Sequence, residues 1–182
     1  HAHCAKLDGQ EIVLFAHTRT GGAHCPGSNS RLVSGIAPVI AMQDAGVPVG
    51  LGVDGSASND AGNLMAEARQ ALLLQRVVHG GTAFSARAAL KLATRGGAGV
   101  LGRGAECGQI KPGFRADLAI WDVSGIESAG SWDPAALLLA GPMQVRDLLV
   151  EGRRIVAGGQ MMTLDLGTTV RTQNDMVQQL MC

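Results

Sequence analysis

VGLGVDGSASND, residues 49–60, decides how the chain is read: a short apolar run carries an aspartate, Asp54, to the mouth of a Gly/Ser/Asn turn. Barrel enzymes present catalytic groups in this way, because the buried strand fixes the carboxylate while the loop beyond it receives substrate. Asp54 is therefore the first candidate for chemistry. The competing reading is a helix cap, since an acid after a strand also satisfies the first free amides of a following helix. The flanking sequence has to decide between them.

On the N-terminal side a strand-then-helix order recurs. HAHC at 1–4 is short and apolar apart from His1 and His3, and Asp8 then opens GQEIVLFAHT, where Ile12, Leu14 and Phe15 form an apolar face. Gly22 to Cys25 is a second short run, followed by the turn PGSNS and by IAPVIAMQDAG, a helix stopped by Gly46. VPVGLGVDG is the third strand, and a long helix follows from about Asn63 to Val78, with Asp60 as its cap and Glu67 and Arg69 on its solvent side. Strands separated by short helices imply right-handed crossovers and a parallel sheet with helices outside it.

After position 80 the alternation stops. Ser85 caps a helix over AALKLATRGGAGVLG that glycines interrupt, and the turn at Pro112 and Gly113 feeds a strand carrying Ala116, Leu118, Ile120 and Val123. QVRDLLVEGRRIVAGGQ reads as a hairpin turning at Glu151-Gly152. From about Thr169 to Cys182 the chain reads as a helix with Met176, Val177, Leu180 and Met181 to bury, on the body or on a partner. The expected division is 1–106 for three strand–helix units, 107–165 for a β module, and 166–182 for the C-terminal helix.

With 15 basic and 15 acidic side chains in 182 residues, the formal charge is zero, so nothing electrostatic recommends a nucleic acid or an anionic membrane as partner. No run of about 18 apolar residues occurs and no basic-plus-apolar leader is seen, so the expected compartment is the cytoplasm. Cys4, Cys25, Cys107 and Cys182 form no CxxC pair and are expected to be free thiols. The glycine clusters near 80 and 96 lack the preceding strand and following lysine of a phosphate cradle, and Met161, Met162, Met176 and Met181 read as core filler.

HAHCAKLDGQEI, GAHCPGSNSRLVSGIAPVIAMQDAGVPVGLGVDGSASND and GQIKPGFRADLAIWD, in that order, resemble the C-terminal half of a metal-dependent amidohydrolase. The subgroup most similar contains 8-oxoguanine deaminases, guanine and cytosine deaminase-like proteins, and triazine hydrolases. The resemblance implies an α/β fold: the C-terminal part of a distorted (β/α)8 TIM-like barrel with part of a small β-sandwich. It implies that the strand at His1 to Cys4 is the sixth of the barrel, that His24 follows the seventh, and that Asp54 ends the eighth. Asp54 is then both a ligand of one divalent metal ion, zinc with iron as the other possibility, and the base that takes a proton from the attacking water. His3, in its HCxxL motif, sits beside that water and shuttles protons, a task suited to imidazole with its reference pKa of about 6.5.

Asn29, Ser58 and Asn59, with Ser28, fall on the two loops at the implied mouth. They are candidates for binding ring heteroatoms of a small heterocyclic substrate and serve equally well as turn formers. Arg31 either contacts substrate or starts the next helix. His24 and Cys25 resemble a soft metal pair, but adjacent strand positions point to opposite faces, which favours a core cysteine beside a loop histidine.

The family's His-x-His pair on its first strand, and the histidine and glutamate of its fifth, have no counterpart here. His1-Ala2-His3 is not that pair, because the following CxKLD fits the sixth strand. A full barrel takes about 250 residues, so this chain reads as a piece of something longer whose N-terminal half supplies the other ligands. The resemblance implies a parent enzyme that forms homo-oligomers and deaminates an aromatic heterocycle, 8-oxoguanine first, on the HAHC, VDGSASND and EARQALLLQR segments. A triazine hydrolase is the alternative, and a non-catalytic fragment that needs a partner polypeptide is the reading from another class.

Overall fold

Asp8 and Glu11 start the first helix reciprocally. The Asp8 carboxylate accepts from Glu11 N–H at 2.9 Å and the Glu11 carboxylate from Asp8 N–H at 2.9 Å, closing a capping box on α1 (Gly9–Thr18). In the computed structural model, which describes residues 1–141 and 143–181, α1 leads into β1 (Gly22–His24). That strand pairs in parallel with β2 (Val49–Leu51) in the register Gly22↔Val49, Ala23↔Gly50, His24↔Leu51. Ala2 joins the other side of β1 through one bridge to Ala23, with His3 N–H donating to Ala23 O at 2.8 Å. The expected parallel order is therefore present, although the first run contributes a bridge rather than a strand.

Between β1 and β2 lie two helices, where the sequence suggested a turn and one helix. PGSNS forms most of α2 (Pro26–Arg31), because Pro26 stands at the first helical position, where its missing N–H costs nothing. The second is α3 (Val39–Asp44). Beyond β2, Asn63 caps α4 (Leu64–His79) by accepting from Met65 and Ala66 N–H at 3.0 and 3.2 Å. Asp60, expected there as the cap, instead ion-pairs with Arg31.

Ser85 caps α5 (Ala86–Lys91) as expected, but the glycines that follow do not break the helix. The chain continues through a π-helical turn at Leu92–Gly96 into α6 (Gly97–Val100). A Cβ on Gly96 would lie 2.2 Å from Val49 O, and one on Gly50 would lie 2.7 Å from Gly97 Cα. Glycine at these positions lets helix backbone rest directly on β2.

The core of this unit gathers Val39, Met42, Val49, Ala68, Leu72 and Leu92. It also takes Leu139 from α7 (Pro134–Ala140), so residues from Ile126 to Gly141 belong with 1–114 and not with the β module in which the sequence reading put them. Arg69 donates to the Leu139 and Ala140 carbonyls, and Arg87 pairs with the α7 cap Asp133 at 2.9 Å.

The second unit, residues 115–125 with Met143 onward, is an antiparallel sheet in the order β3 (Leu118–Trp121), β4 (Val145–Val150), β5 (Arg153–Ala157), β6 (Gln160–Met161). Glu151 and Gly152, at φ 49° and 77°, make the expected tight turn, in which both central residues need positive φ. Gly158 and Gly159 repeat it at φ 54° and 78° and add β6, a strand too short for periodicity to reveal. The final helix, α8 (Leu166–Met181), starts at the boundary expected for the C-terminal helix, and there Asp165 accepts from Thr168 N–H at 3.1 Å. None of its residues, Met176, Val177, Leu180 and Met181 included, is buried within this chain. Cys4 and Cys25 are buried free thiols, Cys107 is a half-buried one, and Cys182 lies outside the described residues. Among the described residues no helix is long and apolar enough to cross a membrane.

Candidate active site

Asp54 stands three residues beyond the end of β2 with φ 65°, a left-handed conformation that a non-glycine residue adopts only under constraint. His3, on the neighbouring bridge strand, does the same at φ 66°, and Cys4 follows at 55°. Each such residue costs about 1–3 kcal/mol, which the surrounding hydrogen bonds must offset. The two residues expected to carry chemistry are thus both held in strained backbone.

Three donors hold the Asp54 carboxylate. Oδ2 accepts from Ser28 Oγ at 2.6 Å and Ser58 Oγ at 2.7 Å, and Oδ1 accepts from Gly55 N–H at 2.8 Å. The hydrogen bonds from Ser28, Ser58 and Gly55 stabilise the ionised form and pull the acid down to about 2. A carboxylate offers about four acceptor directions. Three are used, which leaves one on Oδ1.

His3 Nε2 is 3.7 Å from Asp54 Oδ2. Its Nδ1 lies 2.9 Å from Asn29 Oδ1, and Asn29 Nδ2 reaches the His3 carbonyl at 3.4 Å, which fixes the amide so that its oxygen faces the ring. An amide oxygen only accepts, so Nδ1 is the donor of this pair and Nε2 is the nitrogen that faces Asp54. Asn29, expected at the substrate, is buried and works on His3.

Ser58 likewise works on Asp54. Asn59, also expected at the substrate, is buried inside its own loop, where Nδ2 donates to Val53 O at 2.7 Å and to Glu67 Oε1 at 2.8 Å. Asn59 therefore has no amide hydrogen left for a ligand.

Glu67 was missed by the sequence reading. Expected on the wet side of α4, it is only 3% exposed, and its second oxygen accepts from Gly27 N–H at 2.7 Å. The available signal was phase: Glu67, Ala68, Ala71, Leu72 and Gln75 form one buried stripe along α4.

His24 lies on β1 rather than on a loop. It shares a strand face with Gly22, whose missing Cβ would meet Met42 Cε at 2.6 Å, so it faces the helical layer and not the loop mouth. Both ring nitrogens are buried without partners, and burial pushes the ring down to about 4.

For a divalent cation the donor set fits one corner of a site. Asp54 has an acceptor direction to spare, and no group of three or more His, Cys, Asp or Glu able to hold a metal occurs among the described residues. Closing a shell takes about four ligands.

The model of the Amidohydrolase family matches residues 1–155. The chain belongs to the amidohydrolase family. It is 44% identical over 170 residues to an 8-oxoguanine deaminase from Pseudomonas aeruginosa, a match covering 93% of this chain and 38% of that protein. An adenosine deaminase from Xanthomonas campestris, solved with bound zinc, superposes with a TM-score of 0.91 at 33% identity, over 98% of this chain and 42% of the other. Atrazine chlorohydrolase from Arthrobacter aurescens, solved with zinc, gives 0.88 at 34% identity over 96% and 39%. The chain thus spans about two fifths of the length of these relatives. Its fold is α/β, the C-terminal part of an amidohydrolase barrel with part of the β-sandwich.

Proposed function

We propose that this chain is the C-terminal part of a metal-dependent aminohydrolase that deaminates an amino-substituted aromatic heterocycle by hydrolysis in the cytoplasm, with 8-oxoguanine as the favoured substrate. The observation that carries the proposal is the meeting of Asp54, beyond β2, and His3, beside the Ala2–Ala23 bridge, each in a strained backbone conformation and 3.7 Å apart. The 44% identity to an 8-oxoguanine deaminase supports the substrate.

Asp54 is the ligand this part contributes to a divalent metal, zinc in this proposal, and the missing half of the barrel contributes the others. A bound divalent cation acidifies water, lowering its pKa from about 15.7 to about 7. The Asp54 carboxylate receives the proton released as water adds to the ring carbon. The hydrogen bonds from Ser28, Ser58 and Gly55 favour its ionised form, so it gives that proton up readily. His3 Nε2, the ring nitrogen in reach, takes that proton and delivers it to the departing amino group, which leaves as ammonia. Ser28 and Ser58 orient the carboxylate, and Asn29 holds the ring in the tautomer this relay needs.

The test uses the full-length polypeptide, expected as a homo-oligomer, against 8-oxoguanine, guanine, isocytosine and a hydroxytriazine. Ammonia is expected from 8-oxoguanine, with a loss of about a hundredfold or more in Asp54→Asn. Absence of ammonia from every purine would move the assignment to triazine hydrolysis, which the likeness to atrazine chlorohydrolase favours as the second reading.

A further inference from the structure

The two serines that grip Asp54 stand on different loops, Ser28 in α2 after β1 and Ser58 in the loop after β2, so their convergence needs something that ties those loops together. The residue beside each serine is bound to the same side chain. Gly27 N–H donates to Glu67 Oε2 at 2.7 Å, and Asn59 Nδ2 donates to Glu67 Oε1 at 2.8 Å. Glu67 rises from α4, a third element, and is buried. The fit leaves no slack: a Cβ on Gly27 would lie 2.2 Å from Glu67 Oε1.

We propose that Glu67 is the positioning residue of this site, a buried carboxylate that locks the two strand-end loops in the one arrangement that brings both serine hydroxyls onto Asp54. The inference rests on the reading of Asp54 as the metal ligand and proton acceptor. Glu67 touches neither Asp54 nor any reacting atom and acts only through Gly27–Ser28 and Ser58–Asn59. A carboxylate is required because both facing groups are donors. An amide of the same shape would turn its NH2 toward one of them and leave two donors facing each other.

Glu67→Gln in the full-length, zinc-loaded enzyme is the test, read by zinc affinity in chelator competition and by kcat and KM, at temperatures well below melting. The expected result is zinc binding and kcat each weakened about tenfold to a hundredfold, the range for groups that orient a ligand from behind, with KM changed much less. The decisive arm is a double-mutant cycle on zinc affinity with Ser28→Ala plus Ser58→Ala. If Glu67 acts through the serines, its removal costs little once they are gone. Additive losses, or Glu67→Gln with wild-type zinc affinity and kcat, would overturn the inference. If Glu67→Gln does not fold, Glu67→Asp, a carboxylate too short to span both donors, carries the same cycle with the same outcomes. Asp54→Asn measured alongside separates the two failures. Wild-type turnover and zinc binding there would sink the site reading and the inference with it, whereas a dead Asp54→Asn beside additive Glu67 effects sinks the inference alone.

Discussion

Helices α4 and α8 are both 16 residues long and both open on a side-chain oxygen that accepts from first-turn amides, Asn63 in one and Asp165 in the other. They differ in what their apolar stripes meet. On α4 the stripe is Ala68, Ala71 and Leu72 with Glu67 and Gln75, and all are buried. On α8 it is Val170, Val177, Leu180 and Met181, and none is buried, with Leu180 at 87% exposure. Caps and periodicity make a helix locally. Burial depends on what the rest of the fold brings to its face, and an isolated helix of about this length is marginal in water.

The largest expected contrast is between matched truncations on the two helices. Leu72→Ala should lower the unfolding free energy by about 2–5 kcal/mol, because it empties a packed position. Leu180→Ala should change it by less than about 0.5 kcal/mol. Denaturant titration of both variants measures the difference. Equal losses would mean that α8 is covered in solution, and the comparison would break.

Acid sharpens the contrast at the next level, because His24, the buried imidazole without partners, belongs to the α4 side of the comparison. Its folded pKa of about 4 lies below the ordinary 6.5, so the unfolded chain takes up the proton first. Stability is therefore full above about 6.5 and falls as pH drops toward about 4, by about 1.4 kcal/mol per pKa unit. Asp54 acts in a separate window: lowered from 3.8 to about 2, it contributes above 3.8 and is lost only as pH falls through about 2. His24→Leu should flatten the stability profile between pH 6.5 and 4 and leave the lower limb in place. A slope unchanged in that variant would assign the acid sensitivity to another group.

The same contrast explains what the sequence could and could not say. Asp8, Ser85 and the Glu151-Gly152 turn were legible because each acts on its own neighbours, and the place of Asp54 beyond a strand was legible because a polar loop follows an apolar run. The Asp54–His3 pair needed the family resemblance, since no periodicity relates residues 51 positions apart. The partners of Asn29, Asn59 and Glu67 were not legible. Each is a polar residue whose role is set by a loop brought up from elsewhere in the chain, and by residue type alone a glutamate is expected in water. Gly96 and Gly97 misled for a related reason. Glycine destabilises a helix by about 1 kcal/mol relative to alanine, and only contact with β2 explains why the helix continues through them.

The smallest predicted effect tests the local half of the comparison. Asn63→Ala removes an oxygen that serves two amides at the start of α4 and should cost about 1 kcal/mol of unfolding free energy, since α4 cannot fray without disturbing the core. Asp165→Ala removes a comparable cap, but α8 buries nothing, so its first turn can loosen without exposing new apolar surface. The loss should therefore appear as a small drop in helical circular dichroism with the unfolding midpoint unchanged. A midpoint shift as large as that of Asn63→Ala would show that α8 unfolds together with the body it follows, and its exposed stripe would then need a cover.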